Sequence, residues 1–229
     1  MKRHYPKIEA KTWRWILALV LAIGSFYGVS FLFYALKVKN EIIYALAISI
    51  LCLLSLLVVD KKFIKKIFLP IKMKDLLYII IGLGFSIVAV IISAIAVERL
   101  GIKGATNPIF DVLTPDNFKS FFVSTTIQFI AEEIIFIIPF LFVINKMKTE
   151  NNILKTIFAL LLSSVIFGAM HLSTYDFNLL QAVLIISIIR TGLSLSYVLS
   201  KNLSVTYIIH IIYDWSLIII YLAAGQMIQ

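Results

Sequence analysis

Apolar runs of 17 to 25 residues, separated by short polar breaks, repeat along almost the whole chain. They lie at about 15–36, 42–59, 76–97, 120–144, 156–172, 179–199 and 203–224. A helix needs about 20 apolar residues to cross the hydrocarbon of a bilayer, and each run is near that length. The pattern predicts an all-α polytopic transmembrane helix bundle of about seven spans, eight at the upper bound. Once the spans are subtracted, too little chain remains for a large soluble domain. One integrated membrane domain is therefore expected.

Composition points the same way. Hydrophobic residues make up 61% of the 229 positions and charged residues 14%, far from the balance of a soluble domain. The net charge of +9 comes from Lys and Arg in the short breaks between runs, which argues for membrane orientation and against nucleic acid as a partner. With seven crossings and the N-terminus inside, inner segments hold 15 basic residues and outer ones 5, and Arg190 falls within a span. The expected location is an integral position in a bacterial cytoplasmic membrane. Lys2, Arg3, Lys7, Lys11 and Arg14 precede a first run that is too long for a signal-peptide core, so a retained first span is expected. Cys52 is the sole cysteine, which excludes an intrachain disulfide and a cysteine-rich metal site and fits a small apolar residue.

Two breaks have distinct character. In residues 60–75, lysines alternate with Phe63, Ile64, Ile67, Phe68 and Leu69, and Pro70 interrupts any helix, as expected of a segment along the inner headgroup layer among membrane lipids. Residues 98–119 form the longest polar connection, with Gly101, Gly104, Pro108 and Pro115, and read as a connector or as a lid. Trp13, Trp15 and Trp215 read as interface anchors or packing, His4 as solvated, and Asp176 as a loop or cap residue.

Against this apolar background, Glu132 and Glu133 stand in the middle of the fourth run. A carboxylate at that depth costs roughly 2.5 to 3.5 kcal/mol, so the pair requires polar partners. Adjacent residues are about 100° apart around a helix, which lets one carboxylate face the bundle interior while the other turns to a neighbouring helix. His171 ends the fifth run, and His210 and Asp214 sit four apart, on one face of the seventh. A carboxylate can take a proton from water, one imidazole can orient that water, and a second can stabilise developing negative charge. Glu132, His171, His210 and Asp214 would also suit a divalent metal such as zinc with an open position for water. On the run boundaries, Glu132 lies about 12 residues into its helix while His171 lies at the end of its own, a mismatch of up to roughly 18 Å. A continuation of the fifth helix through Ser173 or Thr174, a tilt, or a water-filled outer cavity would reconcile the two. Pro139 is expected to bend or loosen the fourth helix.

The stretches AEEIIFI (131–137), FGAMH (167–171) and HIIYD (210–214) resemble the three motifs of the CPBP intramembrane proteases, the group of type II CAAX prenyl endopeptidases and bacteriocin-processing or Abi-type proteins. The resemblance covers about residues 120–224 and includes the helix–turn–helix TGLSLSYVLSKNLSVTYIIH. It implies an intramembrane endopeptidase with 1–119 as N-terminal spans and 120–229 as a protease-like core. Its substrate would be a peptide or a lipid-associated protein. By the resemblance Glu132 would be the general base acting with His171, His210 and Asp214 would polarise the scissile carbonyl, and Glu133 would brace the site. The family pattern has arginine where this chain has Ile137, and Arg190 is the one basic residue within a span, so Arg190 is expected to reach Glu133 or Glu132 in its place. Two other functions fit the same residues: a noncatalytic immunity or scaffold protein and a proton-coupled carrier.

Overall fold

The computed structural model describes residues 3–105, 107–114 and 116–226. Among these residues the regular structure is all helical, without strands, and seven helices are long and apolar enough to cross a membrane. The spanning helices are α1 (Thr12–Ala35), α2 (Glu41–Ser55, extended by a 3-10 turn to Val58), α4 (Met73–Leu100), α6 (Phe118–Lys146), α7 (Asn152–Met170), α8 (Ile186–Ser200, preceded by a π-helical turn at Leu180–Ile185) and α9 (Leu203–Gln226). Two short helices, α3 (Phe63–Ile67) and α5 (Ile109–Val112), lie in the connections.

Helix ends follow local chemistry. The Asn40 and Asn151 side chains accept the backbone N–H groups of Ile43 and Leu154, each at 3.0 Å, capping α2 and α7. Gly101 closes α4 in the left-handed conformation, at φ 59°, which a residue without Cβ adopts without strain. α6 runs unbroken across Pro139, which sits fully inside the packed bundle. The expected loosening of that helix does not extend to a break, because Pro139 removes only one N–H from a long ladder.

α6 is the central rod. Two thirds of its most apolar window is buried, more than for any other spanning helix among the described residues. α2, α7, α1 and α9 pack on it, while α8 bridges α4, α7 and α9. Close helix contacts rely on glycine. A Cβ on Gly168, the glycine of FGAMH, would meet the Ala182 carbonyl and Ser187 Oγ at 2.5 Å. A Cβ on Gly192 would overlap Ala89 and lie 2.8 Å from the Phe85 carbonyl oxygen, so this glycine sets how near α8 comes to α4.

The N-terminal segment before α1 closes one end of the bundle. Arg3 grips Asp75 through both carboxylate oxygens at 2.5 and 2.9 Å and also donates to the Pro70 carbonyl. Ile8 N–H donates to Asn145 Oδ1 at 2.9 Å, and Ile8 and Ala10 are buried. Phe63 and Ile67 of α3 also pack into the core, Phe63 edge-on to Trp15, so the apolar face of the lysine-rich segment is spent on the protein itself. Trp15, Trp215 and Cys52 are buried packing residues, while Trp13, His4 and Asp176 are exposed.

Gly192→Leu should force α4 and α8 apart and cost about 1 to 3 kcal/mol through overpacking. Gly84→Leu, a site with nothing within 4 Å of the added Cβ, should cost far less. Thermal unfolding of the two variants in the same detergent checks the difference.

Candidate active site

Glu132 and Glu133 leave α6 in different directions, and the helix turn between them decides what each can do. Glu133 is fully buried and points to α8. Arg190 donates Nη1–H to Oε1 at 2.7 Å and Nη2–H to Oε2 at 2.9 Å, a two-pronged charged contact. His210 Nδ1–H adds a third bond to Oε1 at 2.8 Å. The guanidinium is itself held between the rings of Phe136 and Phe167, 4.4 and 4.5 Å from their centroids. A cation thus reaches the second glutamate from α8, while Ile137 on α6 is buried among apolar side chains.

Glu132 faces a cavity. Its side chain is 12% exposed, and Gln128, one turn earlier, donates Nε2–H to Oε1 at 3.1 Å. Its other oxygen lies 3.7 Å from His210 Nε2. His210 is stacked on Phe129, with ring centroids 4.4 Å apart and planes 19° apart, and is thereby fixed in orientation. Asp214 Oδ2 lies 3.0 Å from His210 Nε2 but makes no hydrogen bond. Three carboxylates from two helices therefore surround one imidazole.

His171 is the residue that ends α7. Its Nδ1 is 2.9 Å from the Phe167 carbonyl, one turn back. A carbonyl only accepts, so Nδ1 carries the proton, and in the neutral ring Nε2 presents a lone pair. The fifth span does not continue as α-helix through Ser173 or Thr174. The chain instead folds into a 3-10 turn at Ser173–Tyr175, with Asp176 and Phe177 at positive φ. The depth difference is bridged by open space: Glu132, His171, His210, Asp214 and Arg190 all line one cavity of about 520 Å³. Of the residues nominated from sequence, all but the buried Glu133 thus share one chamber.

Described residues of the connection between α4 and α6 roof this chamber. Asn107, Ile109 and Phe110 line it. Gln181 holds the connection down by accepting from Ala105 N–H at 2.7 Å and donating to the Ala105 carbonyl at 2.8 Å, and Asn178 donates to the Lys103 carbonyl. Asn107 Nδ2 reaches the Tyr175 hydroxyl at 3.3 Å. Burial pushes the Tyr175 phenol above its usual range, so it remains a neutral hydroxyl. Gln128, Phe129 and the aromatic clamp on Arg190 are additions to the site read from sequence. Gln128 carried a signal, four residues before Glu132 on the same face, whereas the rings look like ordinary core residues.

Among the described residues, no three His, Cys, Asp or Glu side chains are arranged to hold a metal ion. Both nitrogens of His210 are turned to carboxylates and Nδ1 of His171 to a carbonyl.

An all-helical membrane bundle with a chamber of carboxylates and imidazoles at its heart is the class that fold and site define. Within that class, residues 114–216 match the family described as type II CAAX prenyl endopeptidase Rce1-like, a protease family. This stretch carries every candidate site residue and includes the three motifs that resemble those of the CPBP group. No curated protein and no solved structure matches the chain.

Arg190→Gln should leave Glu133 buried without its cation and destabilise the protein by about 3 to 5 kcal/mol. Adding Ile137→Arg, which returns a guanidinium one turn from Glu133, should recover part of the loss. Unfolding in detergent of the single and double variants measures both effects.

Proposed function

We propose that the protein is an intramembrane endopeptidase that hydrolyses a peptide bond with a water activated by Glu132 and His171. The observation that carries this reading is the division of labour within the glutamate pair. Glu133 is saturated by Arg190 and His210, while Glu132 keeps an oxygen directed into the chamber. In the reaction, Glu132 takes a proton from water as the water oxygen attacks the scissile carbonyl carbon, and His171 Nε2 orients that water. His210 Nε2–H, with Glu133 hydrogen bonded behind the ring and Asp214 3.0 Å from Nε2, stabilises the oxyanion. Collapse of the tetrahedral intermediate breaks the C–N bond, and the proton held by Glu132 passes to the leaving amine.

The substrate is proposed to be a peptide or a lipid-associated protein, reached within the membrane, with the chain's N-terminus on the cytoplasmic side of a bacterial membrane. A noncatalytic immunity or scaffold role drew its weight from Ile137. Arg190 supports the catalytic reading by supplying the cation that Ile137 lacks. A divalent metal is not required in this scheme.

The test is cleavage of a peptide library by the purified protein in detergent. Glu132→Gln and His171→Ala should each reduce kcat about 10²- to 10⁴-fold, the range of a lost general base. Chelation should leave the rate unaltered. Full activity in either variant, or activity that a chelator abolishes and zinc restores, would refute the metal-free scheme.

A further inference from the structure

A second, smaller chamber of about 220 Å³ meets the first at Gln128, Glu132, Phe167, His171 and Thr174. Its far wall comes from outside the family-matched segment: Phe26, Tyr27 and Ser30 of α1, and Tyr44 of α2. The Ser30 and Tyr44 hydroxyls are hydrogen bonded at 2.7 Å and tie the two helices together at this wall. α1 packs on α2 and α6, and α7 packs on α6 and α8, so the chamber lies in a cleft between α1 and α7. Glu132 and His171 therefore stand at the junction of two spaces, one built by the core and one completed by the N-terminal spans.

The chemistry assigns a direction to the two spaces. His210 and Asp214 line only the larger chamber, whereas Glu132 lines both. The group that stabilises the oxyanion must lie beside the acyl carbon, and the group that returns a proton must reach the amine nitrogen. Resting on the peptidase reading, we propose that the chamber walled by Phe26, Tyr27, Ser30 and Tyr44 is the subsite for the residue on the amine side of the scissile bond. The larger chamber, with Phe110, Phe121, Leu193 and Ile218 in its walls, takes the acyl side. The smaller volume and the hydroxyls of Ser30 and Tyr44 make the amine-side subsite selective for small or polar residues, and α1 and α2 thereby set specificity.

The experiment uses full-length protein and two versions of a library peptide that the wild type cleaves, identical except for Gly or Phe directly on the amine side. Ser30→Trp narrows the chamber and should raise the Gly-over-Phe ratio of kcat/KM about 10-fold or more, within the range that steric pockets reach. Tyr44→Ala widens it and should lower the ratio. Opposite signs separate a subsite from general damage to folding. If both variants leave the ratio fixed, or shift selectivity for the acyl-side residue instead, the subsite is wrong while the peptidase reading stands. If the wild type cleaves no peptide, the peptidase reading fails and this assignment falls with it.

Discussion

The Glu133–Arg190 pair is the contact on which the polar interior depends. A buried carboxylate without a partner would carry the full penalty of leaving water, and so would a buried guanidinium. Here the two meet through two parallel hydrogen bonds, and Phe136 and Phe167 lie against the guanidinium. Charge, hydrogen bonding and aromatic packing converge on a single joint between α6 and α8. The same joint orients His210 through its bond to Glu133. A pair of adjacent glutamates becomes one structural anion and one that faces the cavity.

The surrounding architecture explains how such a site persists in an apolar chain. α6 is enclosed by α1, α2, α7 and α9, so its polar residues meet protein and cavity instead of acyl chains. The end that carries the N-terminal segment is tied shut by Arg3, Ile8 and Asn145, whereas the chamber lies beneath the Gln181-pinned connection at the other end. α1 and α2 lie outside the family-matched stretch yet wall the second chamber at Glu132. The N-terminal spans are thus more than a membrane anchor.

Much of the fold was legible because the bilayer imposes a length rule. All seven apolar runs correspond to spanning helices, with ends displaced by a few residues where caps and turns, not hydropathy, decide the boundary. That Arg190 would pair with Glu133 or Glu132 was readable from the cost of unpaired charge and from Ile137 at the motif's arginine position; which of the two it reaches was not. The reach of His171 was not readable. It depends on the 3-10 turn after Met170 and on a cavity volume, neither of which leaves a periodic trace in the chain. Nor were the aromatic clamp and the Phe129–His210 stack, because a buried phenylalanine looks the same in sequence whether it covers a charge or fills a core.

The most direct measurement of the central joint is a double-mutant cycle on Glu133 and Arg190, with glutamine at each position, read as unfolding free energy in detergent. The expected result is strong coupling: the double variant loses markedly less than the sum of the two single losses, by about 1 to 3 kcal/mol, because removing both partners leaves no charge stranded. Additive losses would mean that the two side chains do not hold each other, and the polar centre would need another foundation.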